Sequence, residues 1–151
     1  MVQRPTVLVA EDDPVLRRVI KFSIASAGFG CETASNGADA LARVERGDID
    51  FLVTDHQMPI CNGIELIQQL RTQLNQLSLP VVLCTAKGYE LDTAELIEKY
   101  ALLAVIRKPF SPKQLNQIIA KQLYIHSPLV FEHPGTARIF DLANGRTASH
   151  F

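Results

Sequence analysis

Five short apolar runs, each followed by a stretch of helical period, constrain this chain more than any other feature. The runs are Thr6–Ala10 (TVLVA), Gly30–Ala34 (GCETA), Asp50–Thr54 (DFLVT), Val81–Thr85 (VVLCT) and Leu102–Arg107 (LLAVIR). Four are almost continuously apolar, as strands become when helices cover both faces of a parallel sheet. The second is more polar and belongs at an edge. The intervening helices have readable starts. Asp13 caps a helix opening on Pro14, with Leu16, Val19, Ile20 and Ile24 on one face. Asn36 precedes a second helix with Ala40, Leu41 and Val44 inward, and a third runs from about Gly63 with Ile67, Leu70 and Leu74 on a face. A fourth follows Asp92, where Glu95 completes a capping-box pattern, and Ser111, Pro112 and Gln114 open the fifth. Parallel neighbours need right-handed crossovers, and helices supply them. The expected class is therefore α/β, a doubly wound five-stranded parallel sheet with helices on both faces.

At 151 residues the chain suits one domain of ordinary size. With 15 Lys and Arg against 16 Asp and Glu, net charge -1, it lacks the basic surface that tracks phosphates or anionic lipid, so neither nucleic acid nor membrane is an expected partner. Cys31, Cys61 and Cys84 form no metal-ligand spacing and, being odd in number, no complete disulfide set. The Met1–Arg4 start lacks a signal-peptide pattern and no apolar run approaches a membrane span, so a cytoplasmic protein is expected. The rhythm breaks after Tyr124. The expected organisation is a domain over 1–124 and a tail over 125–151, either a docked hairpin turned at Pro134-Gly135 or a disordered terminus.

In an open parallel sheet, ligands bind beyond the carboxyl ends of the strands, at the topological switch point. The residues ending the inner strands here are polar: Glu11, Asp12 and Asp13 after the first, Asp55 after the third, Thr85 at the fourth, Lys108-Pro109 after the fifth. Two like unit charges about 4 Å apart repel by roughly 4 kcal/mol at an effective dielectric near 20, so gathered carboxylates require a proton or a cation. An all-oxygen site of this kind suits Mg2+. Lys108 supplies a point charge for a phosphoryl oxygen and Thr85 a hydroxyl donor. Together these parts fit phosphoryl transfer, with a carboxylate as the candidate nucleophile.

The stretch from Thr6 to Leu123 resembles the receiver domain of two-component response regulators. The marks are Glu11-Asp12 with Asp13-Pro14, the run Asp55-His56-Gln57-Met58-Pro59 with Gly63, the pair Thr85-Ala86, and Lys108-Pro109-Phe110. The resemblance implies the strand order 2-1-3-4-5, with Asp55 as phosphoacceptor. It implies Mg2+ held by Asp12, Asp55 and the backbone carbonyl of Gln57, with Glu11 acting through water. By the same resemblance Thr85 and Lys108 contact the phosphoryl group, Lys108-Pro109 is cis, and phosphorylation remodels the surface of the fourth helix, fifth strand and fifth helix, a possible homodimer face. The implied donor is a sensor histidine kinase or a histidine phosphotransfer protein. A receiver of this kind is a phosphoacceptor that promotes its own phosphorylation and dephosphorylation rather than an enzyme acting on a separate substrate. With no room after Tyr124 for a DNA-binding output domain, a single-domain regulator is expected, its output being partner binding or onward transfer in a phosphorelay.

Several residues carry plainer expectations. Asp13 is read as a helix cap rather than a metal ligand, His56 as a solvent-facing loop imidazole without an orienting partner, Cys84 as core and Cys61 as a loop thiol. Val105 stands where receivers usually carry an aromatic residue, and Ala101-Leu102-Leu103 reads as a slightly enlarged core. Gln57 and Lys87 flank the implied phosphoryl position, where they would modulate access of water; Lys87 is expected to slow loss of the group. Two other classes compete. An aspartate-nucleophile phosphohydrolase of the haloacid-dehalogenase kind would carry DxD after its first strand, and a flavodoxin-like cofactor binder would carry a Ser, Thr and Gly loop there. Neither pattern is present at that strand.

Overall fold

The computed structural model of the protein describes residues 4–87 and 92–125, apart from the Ile125 side chain, and the backbone of three further strands at 130–133, 136–141 and 146–150. The chain divides into two compact units, Met1–Pro112 and Lys113–Phe151.

The first unit holds five parallel strands, β1 (Thr6–Ala10), β2 (Gly30–Ala34), β3 (Phe51–Asp55), β4 (Val81–Thr85) and β5 (Ala104–Arg107), in the order β2-β1-β3-β4-β5. The expected sheet and its order are present, with β2 at an edge. Helices α1 (Pro14–Ser26), α2 (Gly37–Glu45), α3 (Gly63–Thr72) and α4 (Thr93–Tyr100) connect the strands. Leu8, Ala10, Leu52 and Leu83 point to one face, where they pack with Ala40 and Val44 of α2 and Leu66, Ile67 and Leu70 of α3. Strand alternation sends Val7, Val9, Val53 and Val82 to the other face, and all four are buried there.

The helix starts follow local chemistry. The Asp13 carboxylate accepts from the N–H groups of Val15 and Leu16, at 2.9 and 3.4 Å, with Pro14 at the first helical position. Asn36 caps α2 by accepting from Asp39 N–H, and Asn62 forms a reciprocal capping box with Glu65 at the start of α3. At α4, Asp92 accepts from the Glu95 N–H.

The bounds of two strands differ from expectation. β3 begins at Phe51, because Asp50 is taken up by Thr6: its carboxylate accepts the Thr6 N–H at 2.8 Å. The strand then runs on through Asp55, which stays in register opposite Cys84. β5 begins at Ala104, since the chain leaves α4 through Ala101 in the left-handed conformation (φ 52) and Leu102 N–H bonds back to Ile97 O. Of the three residues expected to enlarge the core, only Leu102 is buried; Ala101 and Leu103 are exposed, because the left-handed turn at Ala101 redirects the backbone.

The second unit contains α5 (Pro112–Ile125 as the helix runs) and the strands β6 (Val130–His133), β7 (Thr136–Asp141) and β8 (Arg146–His150). In α5, Leu115 and Ile119 are buried. The three strands form an antiparallel sheet in the order β6-β7-β8, with His133 opposite Thr136 and Asp141 opposite Arg146. The Pro134-Gly135 turn itself lies outside the described residues. Among the described residues, no helix is long and apolar enough to cross a membrane.

Candidate functional site

Every parallel strand delivers its carboxyl end to the same rim, and the polar residues found there converge. Glu11 leaves β1 buried, with its N–H bonded to Ala34 O on β2 at 3.0 Å. Asp12 follows and is exposed. Asp55 closes β3 and is 6% exposed. One carboxylate oxygen from each of Glu11, Asp12 and Asp55 lies within 4.8 Å of the others. From β5, Lys108 reaches into the cluster, its ammonium 3.1 Å from Glu11 Oε2 and 3.2 Å from Asp55 Oδ1. The Lys108–Pro109 peptide is cis, and Lys108 N–H bonds to Thr85 O at 2.8 Å.

Burial and the neighbouring Asp55 charge push the Glu11 carboxyl above the ordinary glutamate range, against the opposing pull of Lys108 and of the Asp13 N–H. Burial works against the Lys108 ammonium, yet Asp55 and Glu11 outweigh it and raise its pKa above that of a free lysine. Lys108 therefore stays charged and offsets part of the carboxylate repulsion.

The loop after β3 is drawn tightly under Asp55. Gly63 N–H bonds to His56 O at 2.9 Å, and a Cβ on Gly63 would stand 2.1 Å from the Asp55 carbonyl oxygen. Only glycine permits that approach. The same loop carries Cys61 inward, with Gly37 N–H bonding to its carbonyl at 3.2 Å. Cys61 is thus a buried member of the core rather than a loop thiol, because the loop folds back onto the start of α2. Cys84 is in the core as expected, and burial pushes its thiol up to about 12.

His56 departs from its expected solvent-facing role. It is half-buried, and its Nδ1 lies 3.3 Å from the Thr85 hydroxyl, so the imidazole does have an orienting partner. Burial and Lys87 lower its pKa, with Asp55 opposing. The Thr85 hydroxyl oxygen also accepts the Lys87 N–H at 3.0 Å. His56, Gln57 and Lys87 line an open cleft of about 550 Å3 with Asp12, Met58 and Asn62. Arg17 was not among the residues singled out from the sequence; its guanidinium donates to Glu11 O at 2.9 Å and to Asp12 O at 3.4 Å and steadies the acidic loop. A basic residue in the first turn of the following helix was the available signal.

A family model described as the response regulator receiver domain matches residues 7–120. The chain belongs to that family. Among curated relatives, this receiver domain is 31% identical over 116 residues to chemotaxis protein CheY-3 of Vibrio cholerae, covering 76% of this chain and 88% of that protein. It is 34% identical over 110 residues to the alkaline phosphatase synthesis transcriptional regulatory protein PhoP of Bacillus subtilis, covering 73% of this chain and 45% of that one. The chain spans about half the length of several curated relatives that it matches. Among solved structures, the receiver domain of the Francisella response regulator 1452 superposes with a TM-score of 0.73 at 31% identity, covering 82% of this chain and 99% of that one. Within this receiver domain, Val105 lies on β5, half-buried against the core.

Proposed function

We propose that this receiver domain accepts a phosphoryl group on Asp55 and that the event is read out by a protein partner. The observation that carries the proposal is the convergence on Asp55 of two further carboxylates and one lysine ammonium at the same strand rim. The carboxylate oxygens of Glu11, Asp12 and Asp55 are hard donors at a spacing that fits Mg2+. Asp12 and Asp55 would hold it directly with the Gln57 carbonyl, and Glu11 through water. When bound, the ion supplies positive charge for the phosphoryl oxygens.

The chain's own groups perform the remaining steps. An Asp55 carboxylate oxygen forms the new bond to phosphorus as the donor's bond to phosphorus breaks, and the departing electron pair stays with the donor. For a phosphohistidine on a sensor kinase or a histidine phosphotransfer protein, the leaving group is imidazole, which takes up a proton. Lys108, now shared between Glu11 and Asp55, meets a phosphoryl oxygen, and Thr85 donates its hydroxyl proton to another. Gln57 and Lys87, on the cleft wall, govern the approach of hydrolytic water, and Lys87 slows loss of the group. Phosphorylation-dependent binding and onward transfer in a phosphorelay are both open to such a module.

The test is incubation of the full chain with a small acyl phosphate donor and Mg2+. The expected result is a mass gain of one phosphoryl group that survives acid, is lost in base, and is absent without Mg2+ or in Asp55→Asn. A gain retained in Asp55→Asn contradicts the proposal. Catalytic turnover of small phosphoesters without a covalent adduct would favour a phosphohydrolase instead.

A further inference from the structure

The His56–Thr85 contact is unused by the chemistry above. Thr85 is fully buried, so its hydroxyl proton has no access to solvent. A hydroxyl donates one hydrogen bond and accepts up to two. The Lys87 N–H occupies an acceptor position of Thr85 Oγ1 at 3.0 Å, and the remaining described partner is His56 Nδ1 at 3.3 Å. A buried O–H left without an acceptor is costly, so the Thr85 proton is directed to His56 Nδ1, and the imidazole carries its own proton on Nε2.

That single proton is also what Thr85 would offer to a phosphoryl oxygen on Asp55. It serves one acceptor at a time. We propose that His56 is a positioning residue that holds the Thr85 hydroxyl in the unphosphorylated protein and so sets how readily a phosphoryl group captures it. The inference rests on Asp55 as phosphoacceptor and Thr85 as phosphoryl contact. His56 acts on the ground state alone: its acceptor nitrogen competes with the phosphoryl oxygen, and weakening it favours the phosphorylated arrangement. Asparagine at 56 would keep an acceptor oxygen near the place of Nδ1, whereas leucine fills similar space without one.

The experiment is titration of the full chain with beryllofluoride, a phosphoryl mimic, in the presence of Mg2+, followed by 19F NMR. His56→Leu is expected to reach half-saturation at about two- to tenfold lower concentration, the span that one neutral hydrogen bond carries. His56→Asn is expected to stay within about twofold of wild type on the same reasoning. Equal half-saturation in wild type and His56→Leu, or an equal shift in His56→Asn and His56→Leu, overturns the inference while leaving Asp55 in its role. Absence of binding in wild type as well as in Asp55→Asn overturns the phosphoacceptor reading and this inference with it.

The wild-type imidazole gives a second readout should His56→Leu fail to fold. Its 15N correlations are expected to show protonation on Nε2, with the Nδ1 resonance moving on addition of beryllofluoride and in Thr85→Val. Protonation on Nδ1, or an Nδ1 resonance indifferent to both changes, overturns the proposal.

Discussion

Ile60 sits in the loop beneath Asp55 with φ 69 and 80% of its surface exposed. A β-branched side chain in the left-handed region is strained, and this one gains no burial in return. Ile60→Gly is expected to raise the unfolding free energy by about 1 kcal/mol, measured by urea denaturation. Equal or lower stability would show that the loop accommodates isoleucine without strain. The residues bearing charge at the site were legible in the sequence, because each stands within two residues of the end of an apolar run and a parallel sheet brings such positions to one rim. The His56–Thr85 contact was not legible. It joins residues 29 apart, and its existence depends on the rotation of the imidazole beside a buried hydroxyl. The inward turn of Cys61 was hidden for the same reason: it follows from the close approach of the loop to Gly37 rather than from any local pattern.

Elements are tied together by two arginines that use their forks differently. Arg71, buried at the end of α3, donates to Tyr100 O at 2.9 Å, to Ala101 O at 3.1 Å and to Gln76 O, and so fastens α3 to the turn between α4 and β5. Arg71→Met would leave three carbonyls short of a donor. The expected loss is about 1–3 kcal/mol, with faster amide exchange in α4, and a stability unchanged from wild type would remove the fastening role. Arg43 of α2 instead grips Glu32 on the edge strand β2, at 2.6 and 2.7 Å. The Arg43 hydrogen bond holds the Glu32 carboxyl below the ordinary value of 4.5. Its contribution is therefore complete above that value and is lost as pH falls through the lowered one. With the glutamate side chain 45% exposed, the pair is worth at most about 1 kcal/mol. Glu32→Gln should cost that much at neutral pH and nothing in strong acid; a cost independent of pH would assign the effect to packing. The order of helices and strands was readable because period and capping residues agree along the chain. The late start of β5 was not, since Leu102 and Leu103 extend the apolar run while the left-handed Ala101 redirects the backbone.

Across the molecule the net charge of -1 conceals a strong local field, in which buried acids from distant parts of the sequence face one lysine. The sheet order makes this convergence possible, because β1 lies beside β3 and both end at the same rim. Under the proposed function, a divalent ion would balance that field and an aspartyl nucleophile would use it. The phosphorylated chain can be treated with borohydride, which reduces an aspartyl phosphate to homoserine, and then mapped by peptide mass spectrometry. Homoserine is expected at position 55 alone, and only when Mg2+ accompanied the phosphodonor. Homoserine at position 12, or Mg2+-independent reduction at position 55, would contradict it.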